Sequence, residues 1–473
     1  MPGETFILGE QKVRPDVYVR WHNAGGARVV TGTVGVAAAA VKTNWGPLGE
    51  VIAVETPGDI SGKLGSGDGP DCVREIFSGG VSTVLTVRVG SGGSSAQLEL
   101  EDTAATPVKV VRLLTKYPTT RAITVTIRDS LEDLTLRELL LHENTRQLER
   151  LTFEKGTSEP DQIVAAITAN SQYLTATKLA DGNGEINTLL DAALTGGAAP
   201  TVTGEDYANA FVLLERKFFD VVVVDSEDVS VHASLQSFVK RMLSEGGGRI
   251  IGVVGEPTSI PFATRKTNAR SYNDFAIVYV GNGFETTTGP LEGAKAAARV
   301  AGVIASSAYN ASLTHVPITG SIGVVGELTN TQYKEAIQSG MLTFSLNPDG
   351  LAQIDYGINT KVTLLADEDE GWKKIRRTRT RFELIDRVVL TLHPYLGKWN
   401  NNEDGRAFVV TIANGIIQTM IREGGLESGQ LIVDPANPPQ GDSAWFQFTD
   451  LADLDSIEKL YMDFGFQFSP QAA

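Results

Sequence analysis

Residues 221–254 read VVVVDSEDVSVHASLQSFVKRMLSEGGGRIIGVV. Val221 to Val224 is an unbroken β-branched apolar run, too short for a helix and apolar on both faces, as a buried strand requires. Val229 to Ser244 then carries apolar residues at the helical period, Gly246 to Gly248 supplies a turn, and Ile250 to Val254 is a second apolar strand. Two such strands joined through a helix form a parallel pair, so this part of the chain is α/β. The alternation extends outward to a helix at Glu205 to Lys217, a strand at Phe275 to Val280 and an Ala-rich helix at Leu291 to Tyr309.

Beyond this centre the pattern changes. Residues 1–28 read as an extended arm, because Pro15 forbids a helix interior and Val17, Val19 and Trp21 recur at the strand period. Residues 29–90 read as a small β-α-β unit: the strand Val34 to Val41, a loop at Trp45-Gly46-Pro47, a helix holding Cys72, Val73, Ile76 and Phe77, and the strand Val81 to Val89. Residues 91–165 open on a Gly/Ser linker and continue as short β-patterned runs (Ala96 to Leu100, Val108 to Leu114, Ala122 to Arg128, Leu134 to Leu141), which suggests an inserted all-β module. Residues 166–350 hold the α/β domain. Residues 351–473 hold a charged strand around Ile375 to Phe382, a helix at Glu383 to Leu392, a longer helix at Gly405 to Glu423, an acidic helix at Asp453 to Tyr461 and a terminal strand. The expected fold class is α+β and multidomain.

Composition bounds the function. The 473 residues include 41 Lys+Arg against 57 Asp+Glu, a formal charge of -16, and one cysteine, Cys72. A single cysteine makes neither an intramolecular disulfide nor a thiolate metal cluster, and reducing surroundings follow as an expectation. No signal-like start and no window of about 18 apolar residues is present, so no membrane partner is expected. The acidic balance argues against wholesale binding to nucleic acid, which needs clustered cations on one face.

A search for reaction chemistry returns little. Gly246 to Gly252 is Gly-rich, but it follows a helix and opens a strand, the reverse of a phosphate cradle. Gly281-Asn282-Gly283 follows a strand yet lacks a Lys-Ser/Thr continuation, and loop chemistry is its better reading. His22, His142, His232, His315 and His393 show no metal-ligand spacing. Asp225 ends a strand with His232 seven residues on, where a hydrolase acid and base could sit, but no Gly-x-Ser-x-Gly elbow accompanies them. The expectation is a protein without catalytic residues, metal or cofactor.

Two features carry more weight. Lys373, Lys374, Arg376, Arg377, Arg379 and Arg381 place six positive charges in nine positions. With Lys398 and Arg406 they lie in a stretch, Gly371 to Arg422, of net charge +6, whereas Glu423 to Ala473 is -8. Such separation favours docking of the basic part on an acidic surface of this chain or another. The chain ends both alternate as strands: Val17, Tyr18, Val19 and Trp21 at one, Phe464, Phe466 and Phe468 at the other. Unblunted edges of this kind either pair within their own domain or are donated to neighbouring subunits.

These residues together resemble contractile tail sheath proteins of phages and phage-like elements. Pro15-Asp16-Val17-Tyr18-Val19 is similar to that family's Pro-Gly-Val-Tyr-Val arm, with Asp16 in place of Gly. Asn44-Trp45-Gly46-Pro47 resembles its Trp-Gly-Pro loop, and Phe77-Ser78-Gly79-Gly80 its Gly-turn. The helix Ala294 to Ala308 and the segment Gly340 to Ile358 resemble its middle, and Gly397 to Arg406 its C-terminal stretch. The resemblance implies a subtilisin-like central domain without protease residues, and a sheath core built from both chain ends. It also implies a homo-oligomer of stacked hexameric rings in a helical sheath around a tail tube protein, with baseplate and tail terminator proteins as further partners. Assembly in the bacterial host cytoplasm, a place in the virion tail and contraction that drives the tube into the host follow from it, with a tailocin, secretion-system or injection-particle sheath as the alternative and an α/β hydrolase the remote one. The arms would cross to neighbours, and the basic residues would face the tube or a neighbouring acidic segment.

Overall fold

The structure is a computed structural model that describes residues 12–15, 18, 35–156 and 158–466. Its centre is a seven-stranded sheet in the order Met341–Leu342, Ile277–Val280, Ile251–Gly255, Val221–Val224, Val36–Val41, Thr83–Arg88, Val51–Val54. All neighbours run parallel except the last pair. The chain winds outward in both directions from the adjacent strands Val36–Val41 and Val221–Val224, so right-handed crossovers place the helices Asp68–Ser78 and Val229–Ser244 on opposite faces. The Ala-rich helix, Gly293–Ser306, packs beside Asp68–Ser78. Its alanines and Gly302 permit backbone approach: a Cβ on Gly79 would lie 2.6 Å from Gly302 Cα.

This topology corrects the separation of residues 29–90 from the α/β domain. Val36–Val41 reads VAAAAV, and its small side chains on both faces suit a strand with a neighbour on each side; it pairs with Val221–Val224 and Thr83–Arg88. The inserted module also reaches further than residue 165. Leu174–Lys178 pairs with Lys109–Thr115, and Leu189–Ala193 pairs with Ile123–Asp129, so the module closes near residue 200. It is not all-β, because the helix Glu159–Asn170 packs on its strands. Trp45 seats the module on the centre: its ring is buried between Tyr117 and Tyr173 at 5.3 and 5.4 Å. Arg88 reinforces the joint by donating to Gly46 O at 2.6 Å and Pro118 O at 2.8 Å.

Two expectations about the carboxy-terminal region fail. Ile375–Leu392 is one helix, not a strand followed by a helix. Its buried residues Ile375, Thr378, Phe382 and Val389 recur at helical spacing, which outweighs the alternation of the basic side chains. Residues 454–461 form no helix; the strand Phe446–Asp453 runs directly into an extended segment. The rest of this layer is the helix Glu403–Glu423, closed by Gly424 at φ 69°, and an antiparallel hairpin of Leu426–Val433 with Phe446–Asp453.

Candidate functional site

The geometry that unites the charge features is a clasp between the basic helix, Ile375–Leu392, and the segment leaving the hairpin. Arg377 grips Asp453 with two bonds, Nη2 to Oδ1 at 2.7 Å and Nε to Oδ2 at 2.9 Å, and Arg381 Nε adds a third at 3.1 Å. One turn back, Lys374 pairs with Asp455 and Glu458. Glu458 also accepts from Ser312 Oγ at 2.7 Å and Thr314 Oγ1 at 2.8 Å. Extended chain explains why the acidic segment is not helical: its carboxylates must meet partners spread along the basic helix and on the loop after the Ala-rich helix.

The local sequence prepares this grip. Gly371 leaves room for it: a Cβ there would press on the Arg377 guanidinium and displace it from its present seat. Arg381 lies over the Trp372 ring at 4.3 Å, which orients it toward Asp453. Burial raises the Asp453 carboxyl, but the Arg377 hydrogen bond and the charges of Arg381 and Arg377 outweigh it and hold it below the usual carboxylate range. Glu458 is lowered in the same way, with Lys374 overcoming burial. Lys374 is raised, since burial is overcome by Asp455 and Glu458. The opposite flank of the helix is tied inward: Arg379 donates to Ala308 O at 2.9 Å and Ser307 O at 2.8 Å, and burial lowers it to about 10.

The sequence-predicted basic set is therefore not one outward face. Arg376 and Arg377 are buried, which conflicts with a tube-facing role for them, and Arg376 donates to Asn310 O. Lys373 pairs with Glu370 at 2.8 Å, Arg406 donates to Asn401 O at 2.9 Å, and Lys398 lies in the exposed turn between the two helices. Of the strand-donation residues, Val17, Val19, Trp21 and Phe468 lie outside the described residues; the Tyr18 hydroxyl donates to Arg14 O. Phe464 and Phe466 are exposed, in no strand, with rings 6.5 Å apart.

The remaining candidates are internal. Asp225 accepts from Tyr207 Oη at 2.5 Å and Lys42 N at 2.7 Å, and burial raises it. His232 Nε2 bonds Ser226 O at 2.7 Å, so the two are not a catalytic pair. Asn282 bonds Phe344 through both its amide nitrogen and oxygen, a loop role. Just after the strand Val221–Val224, Glu227 reaches the start of the Ala-rich helix, where its Oε1 accepts from Ala294 N at 3.2 Å, while Gly293 at φ 57° leaves space for it. The chain's own carboxylate thus fills the position an anion would take. Sequence reasoning missed a cluster at the tip of the helical pair, Tyr395, Trp399 and Phe408, although the aromatic spacing around Gly397 signalled it.

Residues 201–360 match the family model of the phage tail sheath protein central domain. The phage-like element PBSX protein XkdK of Bacillus subtilis is 23% identical, with 98% of this chain and 99% of that protein covered. The crystal structure of a sheath tail protein from Desulfitobacterium hafniense superposes with a TM-score of 0.70 at 20% identity, covering 93% of this chain and 100% of that one. The anti-feeding prophage helical sheath in its contracted state gives a TM-score of 0.52 at 12% identity, covering 97% of this chain and 100% of that one. The fold is shared with sheath proteins, and together these findings support a contractile tail sheath protein. The likeness is thus to sheath proteins of phage and phage-like elements, with the family match itself confined to residues 201–360.

Proposed function

We propose that the chain is the repeating subunit of a sheath that polymerises as stacked hexameric rings around a tube and shortens to drive the tube through a bacterial envelope. The observation that carries this reading is the open hairpin. Leu426–Val433 and Phe446–Asp453 form a two-stranded sheet, and among the described residues no third strand joins either edge. A two-stranded sheet is marginal alone. The outer edge of Leu426–Val433 is capped at Leu431, whose N–H donates to Asn414 Oδ1 and whose carbonyl accepts from Asn414 Nδ2. Phe446–Asp453 is therefore the edge better suited to receive a strand. The clasp pins the carboxy-terminal tail beside it, and both chain ends carry strand-like residues to donate.

Strand pairing gives directional bonds that survive a rearrangement, whereas contraction requires other contacts to exchange. Negative-stain microscopy of the purified chain tests the reading. Striated tubes are expected; removal of residues 1–22 or 459–473 should leave a folded protein that no longer polymerises. A wild-type chain that stays dispersed at every concentration and salt condition refutes it.

A further inference from the structure

The tip between the helices Ile375–Leu392 and Glu403–Glu423 carries an aromatic stack that the other described residues leave open. The Trp399 ring lies over Phe408 with centroids 3.9 Å apart and planes 14° apart, and Tyr395 meets Phe408 edge-on at 5.2 Å. Trp399 is 49% exposed and Tyr395 40%. Asn401 fixes this tip beside the hairpin turn by donating to Gly441 O at 3.1 Å and Ser443 O at 3.0 Å. The stack thus stands at the Phe446 end of the open strand edge. The tail carries the matching surplus: Tyr461, Phe464 and Phe466 are 91%, 69% and 88% exposed. Phe464 and Phe466 present their rings to the same side of an extended backbone, with planes 18° apart.

We propose that the Tyr395–Trp399–Phe408 stack receives Tyr461 and Phe464 from the tail of a second copy of this chain. The clasp supplies the reason that the occupant is a second copy. Glu458 is held at Lys374, the start of the basic helix. At about 1.5 Å per residue Leu392 lies roughly 27 Å along that helix, with Tyr395 and Trp399 beyond it. The six residues from Glu458 to Phe464 span at most about 20 Å. Tyr461 and Phe464 therefore fall short of the tip of their own molecule. For Tyr461 and Phe464, donor and acceptor reside on one chain but cannot meet within it, which is the arrangement of a heterologous contact that propagates from copy to copy. This rests on the sheath reading and adds to strand pairing a side-chain socket that sets its register.

The full-length chain tests the socket. Trp399→Ala should raise the concentration needed for polymerisation by roughly ten-fold or more, as for a buried aromatic anchor, while loss of its stack on Phe408 lowers thermal stability only slightly; Trp399→Phe should restore most of the polymerisation loss. A chain carrying both Trp399→Cys and Phe464→Cys should give a ladder of oligomers on oxidation, and each single variant none, Cys72 being buried. Polymerisation of Trp399→Ala at the wild-type concentration overturns the inference, even if tube loading is lost. So does a crosslink formed within a single monomer. If removal of residues 459–473 abolishes polymerisation while the ladder is absent, the socket alone fails; if that removal changes nothing, strand donation by this tail fails with it.

Discussion

Asp453→Ala should detach the carboxy-terminal segment from the basic helix, and the size of the effect follows from what the carboxylate leaves behind. Arg377 and Asp453 have side chains only 9% and 8% exposed. Removing one member of such a buried pair costs about 3–5 kcal/mol, because the other charge stays buried without compensation. Two features move the expectation to the lower end: Asp369 lies 3.3 Å from Arg377, and Arg381 keeps its Trp372 ring. A loss of about 3 kcal/mol corresponds to an increase of a hundred-fold or so in local opening. Hydrogen exchange resolved over residues 446–458 measures that opening directly, and a double-mutant cycle with Arg377→Ala isolates the pair. Because the carboxyl is held below its unfolded value, its contribution is present above about pH 4 and is lost as pH falls through the depressed folded value. Exchange in the variant within a few-fold of wild type, or additive single effects, would refute the clasp as the anchor of the tail.

Asp386, paired with Arg249, behaves in the opposite sense. Burial outweighs the guanidinium and raises its carboxyl to about 6, so the folded state holds a proton that the unfolded state releases near pH 4. Stability should therefore rise as pH falls from 7 toward 4, by roughly 1 kcal/mol down to pH 5 and up to roughly 3 kcal/mol in all for this group, and Asp386→Asn should flatten that part of the denaturation profile. Gly302→Ala gains helix propensity of about 1 kcal/mol, yet its Cβ would press on the Ile76 carbonyl and lie 3.0 Å from Gly79 Cα. Backbone cannot yield as a side chain does, so a net destabilisation of about 1–2 kcal/mol is expected; a raised melting temperature would show that the two helices do not touch as described.

The parallel centre was legible because Val221 to Val224 and Ile250 to Val254 are strands by composition alone, with the helix between them marked by its apolar period and closed by a glycine turn. The partnership of Val36–Val41 with Val221–Val224 was not, since a pairing across more than 180 residues leaves no local trace. Arg376, Arg377, Arg379 and Arg381 misled for a different reason. Alternating charges imitate a strand, and long cationic side chains read as exposed until their partners are known. The charge asymmetry did point to an acidic docking surface; only the fold could say that Asp453, Asp455 and Glu458 are that surface. The hydrophilic helix Phe262–Tyr272 left no apolar period to read.

The internal clasp changes what can act between copies. Had the basic run faced outward, an assembly would lean on exposed ion pairs, each worth about 0.2–1 kcal/mol and weakened once charges lie more than about 8 Å apart at physiological salt. Here Lys374, Arg377 and Arg381 of the positive cluster are consumed at home by the segment that leads into the tail. What the described surface then offers to a neighbour at this end of the molecule is an unpaired strand edge and uncovered aromatic rings. Backbone pairing and apolar burial are little screened by salt, and both demand close, shaped contact. Charge in this chain therefore sets where the tail leaves the subunit, and under the proposed function the grip on the next subunit falls to the strand edge and the rings.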